Sequence, residues 1–496
     1  MNTNYMKVSL LCISCLLCVA VSTYYFTLRG GLHLDESLSL ILSSYSDYGW
    51  TKVFTNENVT GSQLRQLVWF GDTSISGTAN AIINLWIDNR DSPHSNLYYS
   101  ALRLWFVGFD VNQEPYNFMW RAFYLNLLIA VGCCYLLFNV TFKLFKNAIL
   151  SSILVVLAIC NDVSVSNVIY LRPYLLQTLL VFAYIYSTIS ILQDFRIKKT
   201  VTFKYALSTS LALLSGYFAI IFVAILGSFS LAIAFHNFNK KDVLKFCYSY
   251  LPFTAVLSFL IYPPYFFVFG NRQEEAVSKL GSVWENIISA ANSVEIWRNA
   301  FAFPVTSSVV SIVLALLYYC KVRNKDVRLR ISTQLSLLVS AILWLLLVEF
   351  FAPYKTARYV YPVIPLLAIS FGIICDFIST FSRKMGLIFV LIISAACLST
   401  SFTGKNVEYL YPDRYYDCSR FKNDRLAIVT TQPWALAVSA ECFDSKTKYS
   451  LYSSIEYIDL TKFDYIITQE ELPNSINYKK VYDRVMYAYK KYKIIK

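Results

Sequence analysis

A chain of 496 residues that is 56% hydrophobic and only 15% charged, with a mean hydropathy of +0.47, is too apolar for an ordinary soluble multidomain protein, so the bilayer is its expected solvent. The formal charge of +13 does not point to nucleic acid, because no basic stripe with interleaved aromatics occurs in a soluble segment, and a basic excess in a membrane chain ordinarily reflects Lys and Arg held in cytoplasmic loops.

The first apolar run, from about Val8 to Leu28 behind Lys7, is long enough to span a bilayer at about 20 residues. No small-residue cleavage site follows it, so it is expected to remain as a first helix rather than to be removed as a signal peptide. Further runs of spanning length lie near 116 to 138, 149 to 166, 172 to 193, 203 to 218, 219 to 236, 246 to 268, 302 to 320, 331 to 351, 359 to 379 and 385 to 401. The expected fold is therefore an all-α polytopic membrane protein of about eleven transmembrane helices with a small soluble α/β domain after it. The division falls at 1–401 for the membrane domain, which includes a large loop at 29–115, and at 402–496 for the tail.

Basic clusters occur at Lys143 and Lys146, at Arg196 to Lys204, at Lys240 to Lys245, at Lys321 to Arg330, and at Arg383 and Lys384. Every second loop is basic, provided that 203–236 crosses twice around Ser215, Gly216 and Tyr217. By the positive-inside rule the N-terminus is then cytoplasmic and the tail exported. Within the tail, Leu426 to Thr430 and Tyr465 to Thr468 read as strands and Val481 to Tyr492 as helix. Most cysteines, such as Cys12, Cys133 and Cys160, lie in apolar runs and behave as small hydrophobes. Cys418 and Cys442 lie in the tail, where export would permit a disulfide.

Candidate chemistry gathers in the exported segments. Asp35 and Glu36 follow the first span directly. A carboxylate there is partly desolvated, which raises its basicity and suits it to take a proton from a hydroxyl. The alternative is the acidic first turn of a helix. Asp91, His94 and Tyr98 close the same loop ahead of an amphipathic run from Ala101 to Phe109, a pattern also explained by a turn and helix cap. Arg172 and Tyr174 open the fourth span, and Arg358, Tyr359, Tyr361 and Pro362 the tenth, with Lys355 just before it. Two guanidinium groups at one depth suit phosphate oxygens; singly, each could equally snorkel to lipid headgroups.

Taken together, and over residues 1 to 400, these motifs resemble the C-type (GT-C) membrane glycosyltransferases of the protein O-mannosyltransferase and aminoarabinose (lipid A) transferase kind. Asp35 and Glu36 match the acidic pair after the first span. Asp91 with His94 to Tyr99 is similar to the family's Asp-His-Pro-Pro-Leu-Tyr-Tyr pattern, although Ser95 and Asn96 stand where prolines are expected. Arg172 and Tyr174 match an Arg-x-Tyr opening a later span, and Arg358, Tyr359 and Pro362 an Arg-Tyr segment. The Trp-Trp-Asp signature of oligosaccharyltransferases is not found, which disfavours that branch.

The resemblance implies transfer of a sugar from a polyprenyl-phosphate donor to a glycan or glycolipid acceptor at the periplasmic face of a bacterial inner membrane. Lipopolysaccharide or O-antigen would be typical acceptors. Asp35, Glu36 and Asp91 would be catalytic; Arg172, Arg358 and Lys355 would bind the donor phosphate; His94, Tyr98, Tyr174 and Tyr361 would position substrate. Phosphate is already a good leaving group, so no metal is required in principle. A divalent cation bridging the carboxylates to phosphate stays open, although no ligand spacing supports one. The rival readings are a lipid-linked sugar transporter or flippase, whose charges usually lie nearer the bilayer midplane and whose sequence often shows internal repeats, a non-catalytic membrane assembly subunit, and an O-antigen polymerase or ligase.

Overall fold

The computed structural model describes residues 3–495 apart from 89, 92–94, 111–113, 194, 196–198, 268–283, 289–291, 293–303, 353–355, 402–405, 422–424, 484 and 486–488. The chain opens with α1 (Thr3–Thr27), an apolar rod with no acidic or basic residue at its ends, as a bilayer requires. Among the described residues, six helices are long and apolar enough to cross a membrane: Asn4–Thr27 within α1, Pro115–Phe145, Tyr174–Gln193, Tyr217–Asn237, Lys240–Ile261 and Lys325–Phe351.

The expected count of eleven is not reached by this measure. The run at 149 to 166 is two helices, Ala148–Ile159 and Asp162–Ile169, bent by 67°. Asn161 causes the break by serving both sides of it. Its amide donates to the Leu157 and Ala158 carbonyls at 3.1 and 2.8 Å while its oxygen caps Ser164 N–H at 3.0 Å. The remaining four runs form shorter helices. Pro362 and Pro365 break the run at 359 to 379, so its regular α-helix covers only Ile369–Ser379 after a 3-10 turn at Ile364–Ala368. The run at 203–236 does divide, into Lys199–Leu213 and Tyr217–Asn237, at Gly216 with φ 157°.

The tail builds a six-stranded sheet in the order β1-β3-β2-β4-β6-β5. Its members are β2 (Leu426–Val429), β3 (Lys448–Tyr452), β4 (Tyr465–Thr468), β5 (Tyr478–Tyr482) and β6 (Lys490–Ile494), and the first strand, β1 (Glu57–Thr60), comes from the loop after α1. Strands β2, β3 and β4 run parallel, with β1 antiparallel on β3. The stretch from Val481 to Tyr492, expected to be helical, instead includes parts of β5 and β6, which pair antiparallel. Its Tyr and Val residues suit a strand, and Tyr492 is buried against β4.

The tail and the first loop are therefore one structure. Trp69 donates from its indole to the Ala437 carbonyl at 3.0 Å, and the buried Arg65 reaches the Phe443 carbonyl and Ser445. Gly30 N–H donates to the Leu410 carbonyl at 2.7 Å, and a Cβ at Gly30 would collide with the Tyr411 carbonyl. Cys418 and Cys442 form a disulfide across 24 residues of sequence. Closing such a loop is worth about 3 kcal/mol. Reduction, or Cys418→Ser, is expected to raise the rate of limited proteolysis in the tail by roughly a hundredfold; no change would mean that the sheet alone fixes this segment.

Candidate active site

Span α1 ends at Thr27, and within ten residues the chain places Arg29, His33, Asp35 and Glu36. They form the start of α2 (Leu34–Ser44). His33 is its N-cap, with the ring Nδ1 accepting from Asp35 N–H at 3.0 Å, and the Glu36 carboxylate accepts from His33 N–H at 2.6 Å. The helix-cap reading of the acidic pair is thus correct for Glu36. It does not exhaust the pair, because the two carboxylates point into different surroundings.

Glu36 is fully buried and ion-paired with Arg29, and its other oxygen accepts from Leu171 N–H at 2.7 Å. Arg29 in turn donates to the Ile169 carbonyl at 2.6 Å and the Gly31 carbonyl at 3.0 Å. Glu36, expected from the sequence to be catalytic, ties the end of α1, the start of α2 and the 169–172 turn together. Asp35 keeps 20% of its side chain exposed. It is ion-paired with Arg358 and accepts from the Tyr170 hydroxyl at 2.9 Å, and Arg358 also reaches that hydroxyl at 3.3 Å.

Asp91 pairs with Arg172 at 3.2 Å and accepts from the Tyr99 hydroxyl. Arg172 also donates to Tyr99 Oη at 3.1 Å, Ser39 Oγ at 3.3 Å and the Asp35 carbonyl at 3.3 Å. Asp91 is accordingly not the cap of the following helix, Leu97–Trp105, whose N-cap is Asn96. Three carboxylates and three arginines alternate here, and each carboxylate has its own guanidinium partner.

Burial alone would raise the Asp35 pKa, but Arg172 and Arg358 outweigh it, with His33 and the Tyr170 hydrogen bond acting in the same direction, and hold the carboxyl below its ordinary value. The raised basicity expected from desolvation is thus reversed in this state. Burial, with Arg358 and Arg172, depresses the His33 imidazole against the pull of Asp35 and Glu36, which favours the neutral ring whose Nδ1 accepts from Asp35 N–H.

Of the other sequence candidates, Tyr174 is buried beside Tyr170, their rings parallel at 6.2 Å. Tyr98 is buried and donates to Asn126 Oδ1 at 3.2 Å, and Tyr361 donates to Glu408 at 2.8 Å. Neither hydroxyl is recorded in contact with Asp35 or the arginines. His94 and Lys355 lie outside the described residues. Sequence reasoning missed Tyr170 and Arg29, met His33 and Tyr99 only as members of their motifs without a role, and from the tail missed Tyr409, stacked on Tyr170 at 4.0 Å, and Glu441. Arg29 and His33 carried a signal, being polar residues flanking a span; the tail residues carried none.

No family model matches the sequence, and no curated protein matches it. Among solved structures the chain is similar to the archaeal oligosaccharyltransferase AglB from Archaeoglobus fulgidus, solved with an inhibitory peptide and a dolichol-phosphate, at 9% identity over 94% of this chain and 69% of that one, with a TM-score of 0.50. It is also similar to ArnT from Cupriavidus metallidurans bound to undecaprenyl phosphate, at 9% identity over 96% and 97% of the two chains, with a TM-score of 0.48. The chain is a membrane protein that shares the fold of that archaeal oligosaccharyltransferase. At this identity the likeness reaches the fold and not the role of any residue.

Two outcomes test this electrostatic arrangement. Arg29→Met leaves Glu36 buried and unpaired and is expected to cost about 3–5 kcal/mol, much of which Glu36→Gln should restore when added; thermal melting of the solubilised protein reads both. Glu441 accepts from Leu32 N–H at 2.8 Å and pairs with Arg414 at 3.3 Å, yet burial raises its pKa from 4.5 to about 7. The native state therefore holds this proton more tightly than the unfolded chain, and this group's contribution makes stability fall as pH rises from 4.5 to about 7 and stay level above. Glu441→Gln should remove that slope from the melting temperature measured against pH.

Proposed function

We propose that this chain is a glycosyltransferase that moves a sugar from a polyprenyl-phosphate carrier to a hydroxyl of a cell-surface glycan, with inversion at the anomeric carbon. The observation that carries this reading is the pairing of Asp35 with Arg358 beside Arg172, at the pole of the molecule where α1 ends and Tyr174–Gln193 begins. In the reaction, Asp35 takes the acceptor hydroxyl proton, the acceptor oxygen bonds to the anomeric carbon, and the bond from that carbon to the phosphate oxygen breaks. Arg172 and Arg358 hold the charge left on the polyprenyl phosphate.

Arg358 cannot serve Asp35 and a donor phosphate equally. When the phosphate draws it away, Asp35 loses one of the charges that depress its pKa, and burial then raises its basicity. Base activation is thereby tied to donor binding. Asp91 and Tyr99 orient Arg172, and Tyr170 orients Asp35.

Several further features support this reading. Both structural neighbours carry a lipid phosphate. A largely apolar cavity of about 670 Å³, lined by Tyr184, Leu213, Val223, Leu251 and Phe259 among others, has Tyr184 roughly 15 Å along the helix from Tyr174 and suits an isoprenoid tail. The basic loops at Lys143 and Lys146 and at Lys321 to Arg330 occupy the opposite pole, with Gln193 donating to the Lys143 carbonyl at 2.9 Å and Gln334 to the Leu144 carbonyl at 3.0 Å. By the positive-inside rule this supports a periplasmic site in a bacterial inner membrane, with 1–401 as the membrane domain and 402–496 as the exported one.

Sugar transfer from labelled lipid-phosphate sugars, assayed in membranes with a surface-glycan readout, tests the proposal. Asp35→Asn, inserted at normal abundance, is expected to lose at least about a hundredfold in rate; equal labelling by wild type and variant would return Asp35 to a purely structural role. The acidic limb of the wild-type kcat/KM profile, which reports the donor-free enzyme, should lie below the ordinary carboxylate range, and the limb at saturating donor should lie at higher pH. Arg358→Gln removes one of the depressing charges and should move the kcat/KM limb to higher pH.

A further inference from the structure

The tail reaches the site through one short segment, Val407 to Tyr411. Glu408 N–H donates to Ser166 Oγ at 2.9 Å, and the Leu410 carbonyl accepts from Gly30 N–H at 2.7 Å, so the segment is pinned between the bent helix and the end of α1. Tyr409 and Tyr411 both adopt left-handed backbone, at φ 66° and 45°. Tyrosine rarely does so, and two such residues in three positions persist only where the surroundings hold them.

The segment lies one ring away from Asp35. Tyr409 stacks on Tyr170 at 4.0 Å with the rings 10° from parallel, and Tyr170 is the residue whose hydroxyl holds Asp35. His33 meets Tyr409 edge-on at 5.6 Å. Glu408 is exposed, and the Tyr361 hydroxyl fixes its carboxylate at 2.8 Å.

We propose that Glu408 and Tyr409 form the acceptor side of the site, and that the acceptor is a polyhydroxylated group, a glycan or glycolipid headgroup, rather than a protein hydroxyl. The inference rests on the glycosyl-transfer reading. A carboxylate repels the donor's phosphate, and Glu408, unlike Asp35 and Asp91, is held by a tyrosine hydroxyl rather than by Arg172 or Arg358; it is an acceptor-only group that takes hydrogen bonds from sugar hydroxyls. An aromatic ring beside it offers an apolar surface to the C–H faces of a sugar. A lone serine or threonine would use neither.

The test uses the full-length protein in lipid nanodiscs with three readouts: binding of undecaprenyl phosphate, release of labelled sugar into water from labelled polyprenyl-phosphate sugars, and transfer into solubilised envelope glycolipid at varied concentration. Glu408→Gln is expected to leave undecaprenyl-phosphate affinity within about twofold of wild type, while Tyr409→Ala, which also removes the ring stacked on Tyr170, is read on transfer alone. Transfer at low acceptor should fall roughly ten- to hundredfold through KM, the loss expected for one charge-assisted hydrogen bond. Tyr409→Phe keeps the stacked ring and should recover most of the Tyr409→Ala loss, which separates recognition from collapse of the segment.

Loss of undecaprenyl-phosphate binding in Glu408→Gln would assign the segment to the donor and overturn the proposal. Unchanged transfer at every acceptor concentration would overturn it as well. A wild type that transfers sugar only to protein would overturn the acceptor class while leaving the transfer reading intact. A wild type that transfers from no donor would remove the transfer reading itself, and the acceptor assignment with it.

Discussion

Charge withdrawn from water has to be paired, and the outer pole of this molecule is organised by that constraint. Arg29 and Glu36 are both fully buried, and either one alone would cost several kcal/mol to keep there. Together, with hydrogen bonds to the Ile169 carbonyl and Leu171 N–H, they lock the end of the first span to the turn that leads into Tyr174–Gln193. Asp35 is adjacent to Glu36 on the first turn of α2, so the same lock sets where Asp35 stands. The outer ring of the network is less buried, with side-chain exposures of 18% and 20% for Arg358 and Asp35. A structural pair inside and an accessible pair outside are what a site needs if its geometry is to survive the exchange of a partner.

The tail follows from the same requirement. A loop of the length of 29–115 cannot bury its own backbone and arginines at a membrane surface without help. Arg65 finds its acceptors at Phe443 and Ser445, Trp69 at Ala437, and β1 completes its ladder on β3. Glu441 and Arg414 then extend the charged network from behind, with Arg414 donating to the Leu32 carbonyl at 3.0 Å. The tail is in this sense the other half of the first loop, and its contact with α2 is built from backbone as much as from side chains.

What could be read in the sequence follows the range of the interaction. The apolar runs were legible because a bilayer imposes length and composition locally, and every run became helix over most of its length. Asp35, Asp91, Arg172 and Arg358 were legible because they stand in short motifs outside the basic loops, beside residues of matching chemistry, and the fold brings all four into one network. The bend at Asn161 was not, since an asparagine in a short polar stretch gives no sign that it caps both sides. Tyr170 and Tyr409 are two among 38 tyrosines, and only the fold brings them face to face across 239 positions, from 170 to 409. The strands at the end of the tail failed for a related reason: Tyr492 is buried by β4, a partner the local pattern does not contain.

Arg358 links the static arrangement to chemistry. In the resting state its charge stabilises the Asp35 carboxylate, and a group held below its ordinary pKa is a poor proton acceptor at neutral pH. In the proposed reaction the donor brings a phosphate that competes for the same guanidinium, and the planar fork of arginine favours two phosphate oxygens over one shared carboxylate oxygen. Asp35 would then keep Tyr170 and the backbone contact to Arg172 but lose its closest charge, in a setting where burial acts to raise its pKa. The paired state protects the carboxylate when no donor is bound, and the exchanged state turns the same burial into basicity. An unpaired aspartate at this depth would hold its proton more tightly, so the arginine that lowers the basicity of Asp35 also favours its ionised form before the donor arrives.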